Sequence, residues 1–160
     1  MINVCHYATD AERRKAAQKY LQQIKNIDNQ IKSLVEEAEA LQDKALSIGA
    51  IQPEKDRVQT SHRSEAYFVS FIDNKIKVEK MIDAKISRLF DLKLEIRNVI
   101  EQVSDDRCKL VLRYRYINLY SWDTIQNRLN LQEKATYSIH KKALSLVADI
   151  LDKQETPISV

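Results

Sequence analysis

The chain has 160 residues, 31% of them charged and 7% aromatic, with 26 Lys and Arg against 23 Asp and Glu for a formal charge of +3. Its single glycine excludes the glycine-rich loops that cradle nucleotide phosphates, and two prolines leave few breakers, so long helices must dominate. So small a charge excess excludes a uniformly basic surface, and any contact with nucleic acid has to come from local patches.

The first residues, MINVCHYATD, read as a loose lead-in without the basic flank and apolar stretch of a signal peptide. No apolar run approaches the roughly 18 residues that cross a bilayer, so no membrane partner is expected. Cys5 and Cys108 stand far apart and are expected to be reduced thiols in a cytoplasmic protein. His6, His62 and His140 are scattered and no cysteine pair has zinc spacing, so no metal, no cofactor and no catalytic constellation is expected.

Thr9 or Asp10 can cap a helix with acidic Glu12 in its first turn. From there Ala17, Tyr20, Ile24, Ile27, Ile31, Leu34, Ala38, Leu41, Ala45 and Ile48 step by three and four, the coiled-coil signature. Gly49 stands where the pattern stops and reads as the C-cap. Residues 49–64 carry Pro53 and no period, and read as a loop, with Arg57, His62 and Arg63 as its basic residues. A second heptad helix starts near Ser64 or Glu65, with Phe71, Lys75, Val78, Ile82, Lys85, Leu89, Leu92, Ile96, Val99 and Val103 along its seam. Two helices of similar length joined by one link predict an antiparallel coiled-coil hairpin over residues 1–104. Ile72, Ile86 and Ile100 form a second stripe beside that seam, as Leu21 and Val35 do on the first helix. A two-helix hairpin leaves them uncovered, so they predict a further partner, another subunit or the C-terminal domain. On the first choice the protein is a homo-oligomer with Ile72, Ile86 and Ile100 at its interface.

Ser104 and Asp105 open a second, all-helical domain over 105–153, before a polar tail at 154–160. Its first helix offers Leu110, Val111, Tyr114 and Ile117 for packing, with Arg107, Lys109, Arg113 and Arg115 as cations. Ser121 then caps a short helix with Trp122, Ile125 and Leu129 on one face, and Asn130 tolerates the left-handed conformation that ends it. A last helix begins near Gln132, with Ala135, Ile139, Ala143 and Leu144 inward and Lys134, Tyr137, Ser138, His140, Lys141 and Lys142 outward. Helix, tight turn and second helix with a polar, basic outer face is the layout of a DNA-binding helix-turn-helix.

From Asp105 onward the stretches LVLRYRYINLYSWDTI and KATYSIHKKALSLV resemble the fourth region of bacterial sigma factors. The whole chain is similar to a narrower group, the RinA/ArpU-type regulators of phage late genes in Gram-positive bacteria, and DRVQTS resembles a segment recurring there. The resemblance implies a transcription activator of phage or prophage late or packaging genes, bound to double-stranded promoter DNA and in contact with host RNA polymerase. It places Glu133, Lys134, Tyr137 and Ser138 against base edges and Lys141 and Lys142 against phosphates. Ala135 and Tyr137 stand where sigma recognition helices usually carry basic residues, so the target sequence is not inherited. A coiled-coil structural or adaptor protein and a small-terminase-like DNA-packaging subunit are the competing readings.

Overall fold

The computed structural model describes residues 9–50 and 61–155, and all regular structure among them is helical. The lead-in, most of the link and the tail end lie outside the described residues, with Cys5, His6, Arg57 and Pro157. The helices are α1 (Asp10–Leu21), α2 (Gln23–Ala50), α3 (Ser61–Glu101), α4 (Asp106–Leu112), α5 (Trp122–Leu129) and α6 (Glu133–Glu155). A π-helical turn, Arg113–Ile117, continues α4.

Thr9 caps α1 through a full capping box: its hydroxyl accepts from the Glu12 amide while the Glu12 carboxylate accepts from the Thr9 amide. The expected single first helix is interrupted at Gln22. Neither glycine nor proline stands there; the Gln23 side-chain amide donates to the Tyr20 carbonyl at 3.0 Å, and a side chain entering the backbone ladder is a recognised cause of such breaks. Gly49 lies inside α2, which runs on to Ala50, so it is not the residue that ends the helix.

The chain forms two compact units. One spans Ile27–Leu89; the other takes the chain up to Asn26 and again from Phe90. The expected division at 104/105 is therefore not the one found.

In the Ile27–Leu89 unit, the covered positions are those of the heptad count. Ala38, Ala45 and Val78 are buried, and Ile31, Leu34, Leu41, Phe71, Ile82 and Leu89 are half-buried. The two seam lysines keep their amines satisfied at the edge: Lys75 pairs with Glu79 at 2.7 Å, and Lys85 donates across to Gln30 of α2 at 2.7 Å. Tyr67, Val69, Ile76, Met81 and Ile86 remain exposed, and Ile72 is half-buried.

The other unit contains the larger core. Leu21, Ile24, Leu92, Ile96, Ile100 and Val103 are buried together with Val111, Leu112, Ile125, Val147 and Ala148. Full burial of Ile100 corrects its grouping with Ile72 and Ile86, because this chain already covers it. α1 lies along α6 and brings buried Ala16, Ala17 and Leu21 to it. Arg13 fixes that contact by donating to Asp149 at 2.7 Å and Asp152 at 2.6 Å, which holds its guanidinium charged. This pairing, between residues far apart in sequence, is why the unit does not begin at 105.

Candidate nucleic-acid interface

A short helix capped at both ends, the turn after it and a second helix build the site. Ser121 accepts from the Thr124 amide at 3.2 Å and starts α5 as expected. Asn130 ends it at φ 50°, ψ 48°, the left-handed conformation asparagine tolerates. Residues 130–132 make the turn, and α6 starts at Glu133. Leu119, at φ 58°, is the other described non-glycine residue in that region. It follows the π-helical turn, whose wider ring closes as the Asn118 amide donates to the Arg113 carbonyl at 3.0 Å.

The buried face of α6 is displaced from the expected one. Ala135 is exposed and Ile139 half-buried, whereas Thr136, His140, Ala143, Leu144, Val147 and Ala148 are buried. Two polar residues hold inward positions because each has a partner there. The Thr136 hydroxyl donates to the Gln132 carbonyl one turn back at 3.1 Å. His140 Nε2 meets the Tyr116 hydroxyl at 2.8 Å. Burial, and then the nearby Arg115 charge, push His140 down to about 4, so it is neutral at pH 7. Burial pushes the Tyr116 phenol up. His140 is thus a core residue and not an outward one.

Trp122, expected on the buried face with Ile125 and Leu129, is half-buried. Its ring meets Tyr137 at 5.3 Å and the edge of His140 at 4.8 Å, and the Arg115 guanidinium lies 4.7 Å over it. Arg115 also donates to the Tyr120 carbonyl at 2.9 Å, and Arg128 stacks over Tyr120 at 4.6 Å. The RYRY stretch therefore supplies scaffold as much as free charge: Arg115 holds α5, and buried Tyr116 holds His140. Leu110, expected inside, is exposed, while its neighbours Cys108, Val111 and Leu112 are buried.

The six expected DNA-facing residues separate by environment. Glu133, Lys134, Tyr137, Ser138, Lys141 and Lys142 are all exposed on α6. Lys142 is committed within the protein: its amine donates to Asp105 Oδ2 at 2.7 Å. The other oxygen of that carboxylate caps α4, accepting from the Arg107 and Cys108 amides at 3.0 and 3.1 Å. Lys142 first and the amides next hold the Asp105 carboxyl down to about 2, and the same pairing raises Lys142. Lys141 instead faces an open hollow of about 490 Å³ between α6 and α1, lined also by Arg14, Lys15, Gln18, Trp122 and Tyr137. Sequence reasoning missed Arg14 and Lys15 because nothing in the pattern ties α1 to α6. The one local signal, consecutive cations at Arg13, Arg14 and Lys15 on an amphipathic helix, is common on solvated faces.

The chemistry present is cationic and hydrogen-bonding. Among the described residues no group of His, Cys, Asp or Glu is arranged to hold a metal ion, and no helix is long and apolar enough to cross a membrane. Cys108 is a buried free thiol, raised by burial, whose Sγ lies 3.6 Å from the Ile139 carbonyl. Residues 46–148 match a family model described as Protein of unknown function (DUF1492). No curated protein and no solved structure matches the chain.

Proposed function

We propose that this chain, which belongs to the DUF1492 family, is a sequence-specific DNA-binding transcription regulator whose α5–turn–α6 segment works as a helix-turn-helix. The observation that carries the reading is the solvent face of α6. Immediately after a turn closed by left-handed Asn130, its first turns present Lys134, Tyr137, Ser138 and Lys141 with no ion pair among the described residues. A helix of about 10–12 Å diameter fits the major groove, and side chains on its first turns are those that reach base edges. Lys134, Tyr137, Ser138 and Glu133 read bases in this docking, and Lys141 grips phosphate.

The likeness of the C-terminal third to sigma region four and of the whole chain to RinA/ArpU-type regulators supports an activator of phage or prophage late genes in the bacterial cytoplasm, working beside RNA polymerase. The Ile27–Leu89 unit serves as the oligomerising coiled-coil hairpin. Within that unit Lys85 of α3 donates across to Gln30 of α2 at 2.7 Å, which supports the pairing of the two helices. The adaptor reading has no use for the exposed cations of α6.

Selection from a pool of randomised duplexes, followed by footprinting of the enriched sequence at about 0.15 M salt, tests the proposal. Enrichment of one motif with a defined footprint is expected. A pool that stays random, with no footprint on any enriched duplex, sinks it and favours the adaptor.

A further inference from the structure

The hollow beside α6 has a second wall that no helix-turn-helix supplies, and that wall is α1. We infer that α1 is part of the DNA interface: Arg14 and Lys15 grip backbone phosphates of the strand flanking the groove that α6 enters. The inference rests on the DNA-binding reading above and adds to it a contact from the opposite end of the chain.

Several cations of this unit are committed to carboxylates. Arg13 is held by Asp149 and Asp152, Lys142 by Asp105, and Lys109 and Arg113 by Glu101. Arg14, Lys15 and Lys141 have no carboxylate partner among the described residues, and all three line one hollow. Three unpaired cations around a shared concavity raise the local potential and attract an anion. A polyanion fits better than a small one, because the hollow is wide open and the buried polar side chain on its lining, His140, already meets the Tyr116 hydroxyl.

Geometry points the same way. Packed helices lie about 8–10 Å apart, and the major groove is about 12 Å wide. A helix packed beside one lying in the groove therefore sits over the groove wall, where the phosphates are. Tyr137 and Lys141 belong both to the solvent face of α6 and to the hollow, so the base-reading face and the α1 cations are continuous. Arg13 fixes α1 on α6 through its two carboxylates, so Arg14 and Lys15 are presented on a preformed wall.

The test uses the full chain, the duplex enriched by selection and an unrelated duplex of the same length, titrated at several salt concentrations. Each phosphate contact contributes about 0.9 to the slope of log affinity against log salt. Arg14→Gln with Lys15→Gln should flatten that slope by up to about 2 and weaken both duplexes by roughly 10–30-fold at about 0.15 M salt. The charge-preserving pair Arg14→Lys with Lys15→Arg should stay near wild type, and both variants should melt as wild type does. Unchanged affinity and slope in the Gln pair, alongside lost target binding in Lys134→Ala, overturns the α1 contact and leaves the helix-turn-helix reading intact. Loss confined to the selected duplex also overturns it, since phosphate contacts are blind to sequence. Failure of the wild-type chain to bind either duplex overturns both.

Discussion

His140 is where residue type misled the sequence reading and where the structure gives its sharpest pH prediction. A histidine among lysines on an outer face reads as solvent- or DNA-facing; here it is buried against Tyr116 and Trp122. Thr136, which the pattern assigns to neither face, is also buried, its hydroxyl being satisfied one turn back. Polarity predicts exposure only when no partner waits inside, and the partner of His140 comes from another helix that the sequence does not reveal. The folded state holds His140 at about 4, against about 6.5 unfolded. Between those values the unfolded chain binds the proton that the folded one refuses, so stability falls as pH drops through this window. The full effect, reached below the folded value, is about 3–3.5 kcal/mol, of which about 2.5 kcal/mol is lost between pH 7.5 and 4.5. Chemical denaturation from pH 7.5 to 4.5 should show this loss in wild type beyond that in His140→Gln; identical curves would contradict it. Trp122→Ala should cost about 2–3 kcal/mol, below the range for fully buried aromatics, because part of its surface is already wet and the loss is of ring and Arg115 contacts. Thermal melts check that value.

Among the elements, the caps were the most legible: Thr9, Ser121 and Asn130 occupy the roles their side chains suggested. Each is a local interaction within a few residues, which a linear reading can find. The face of α6 was less legible, since its inward row passes through Thr136 and His140. The break at Gln22 and the π-helical turn at Arg113–Ile117 carry no glycine or proline and gave no signal. The element also separates two neighbouring lysines that the sequence treats alike. Lys141 has no carboxylate partner among the described residues, whereas Lys142 is engaged by Asp105. If α6 lies in the groove, Lys141→Ala should flatten the salt slope by about 1, while Lys142→Ala should change it less and lower the melting temperature by loosening α4 from α6. Lys134→Ala or Tyr137→Ala should instead weaken the selected duplex preferentially, by about 1–3 kcal/mol each. Equal slopes for the two lysine variants would mean that Lys142 leaves Asp105 on binding.

At the scale of the whole molecule, the heptad count located the covered positions of both long helices, because a periodic stripe must face something. It did not say what. Leu21 and Ile100, set aside as excess stripe, are buried in the unit that contains α6. Partner identity across a long sequence separation has no periodic signature, so the expected boundary at 104/105 differs from the division into compact units. The Ile27–Leu89 unit retains Tyr67, Val69, Ile76, Met81 and Ile86 as exposed apolar side chains, with Ile86 at 49%. Scattered exposed apolar residues are ordinary, but this many on α3 favours a second copy covering them. The exposure of Ile86 changes what its replacement tests. A charge at a core position would unfold the chain; at this position it stays hydrated in the monomer and becomes costly only when a partner buries it. Ile86→Asp should therefore leave helicity intact while shifting the chain to a smaller species in sedimentation equilibrium, by about tenfold or more in the association constant. Ile100→Asp should unfold the protein outright, since that residue is fully covered within one chain. If Ile86→Asp sediments as wild type does at every concentration, the face around Ile86 is not where two copies meet.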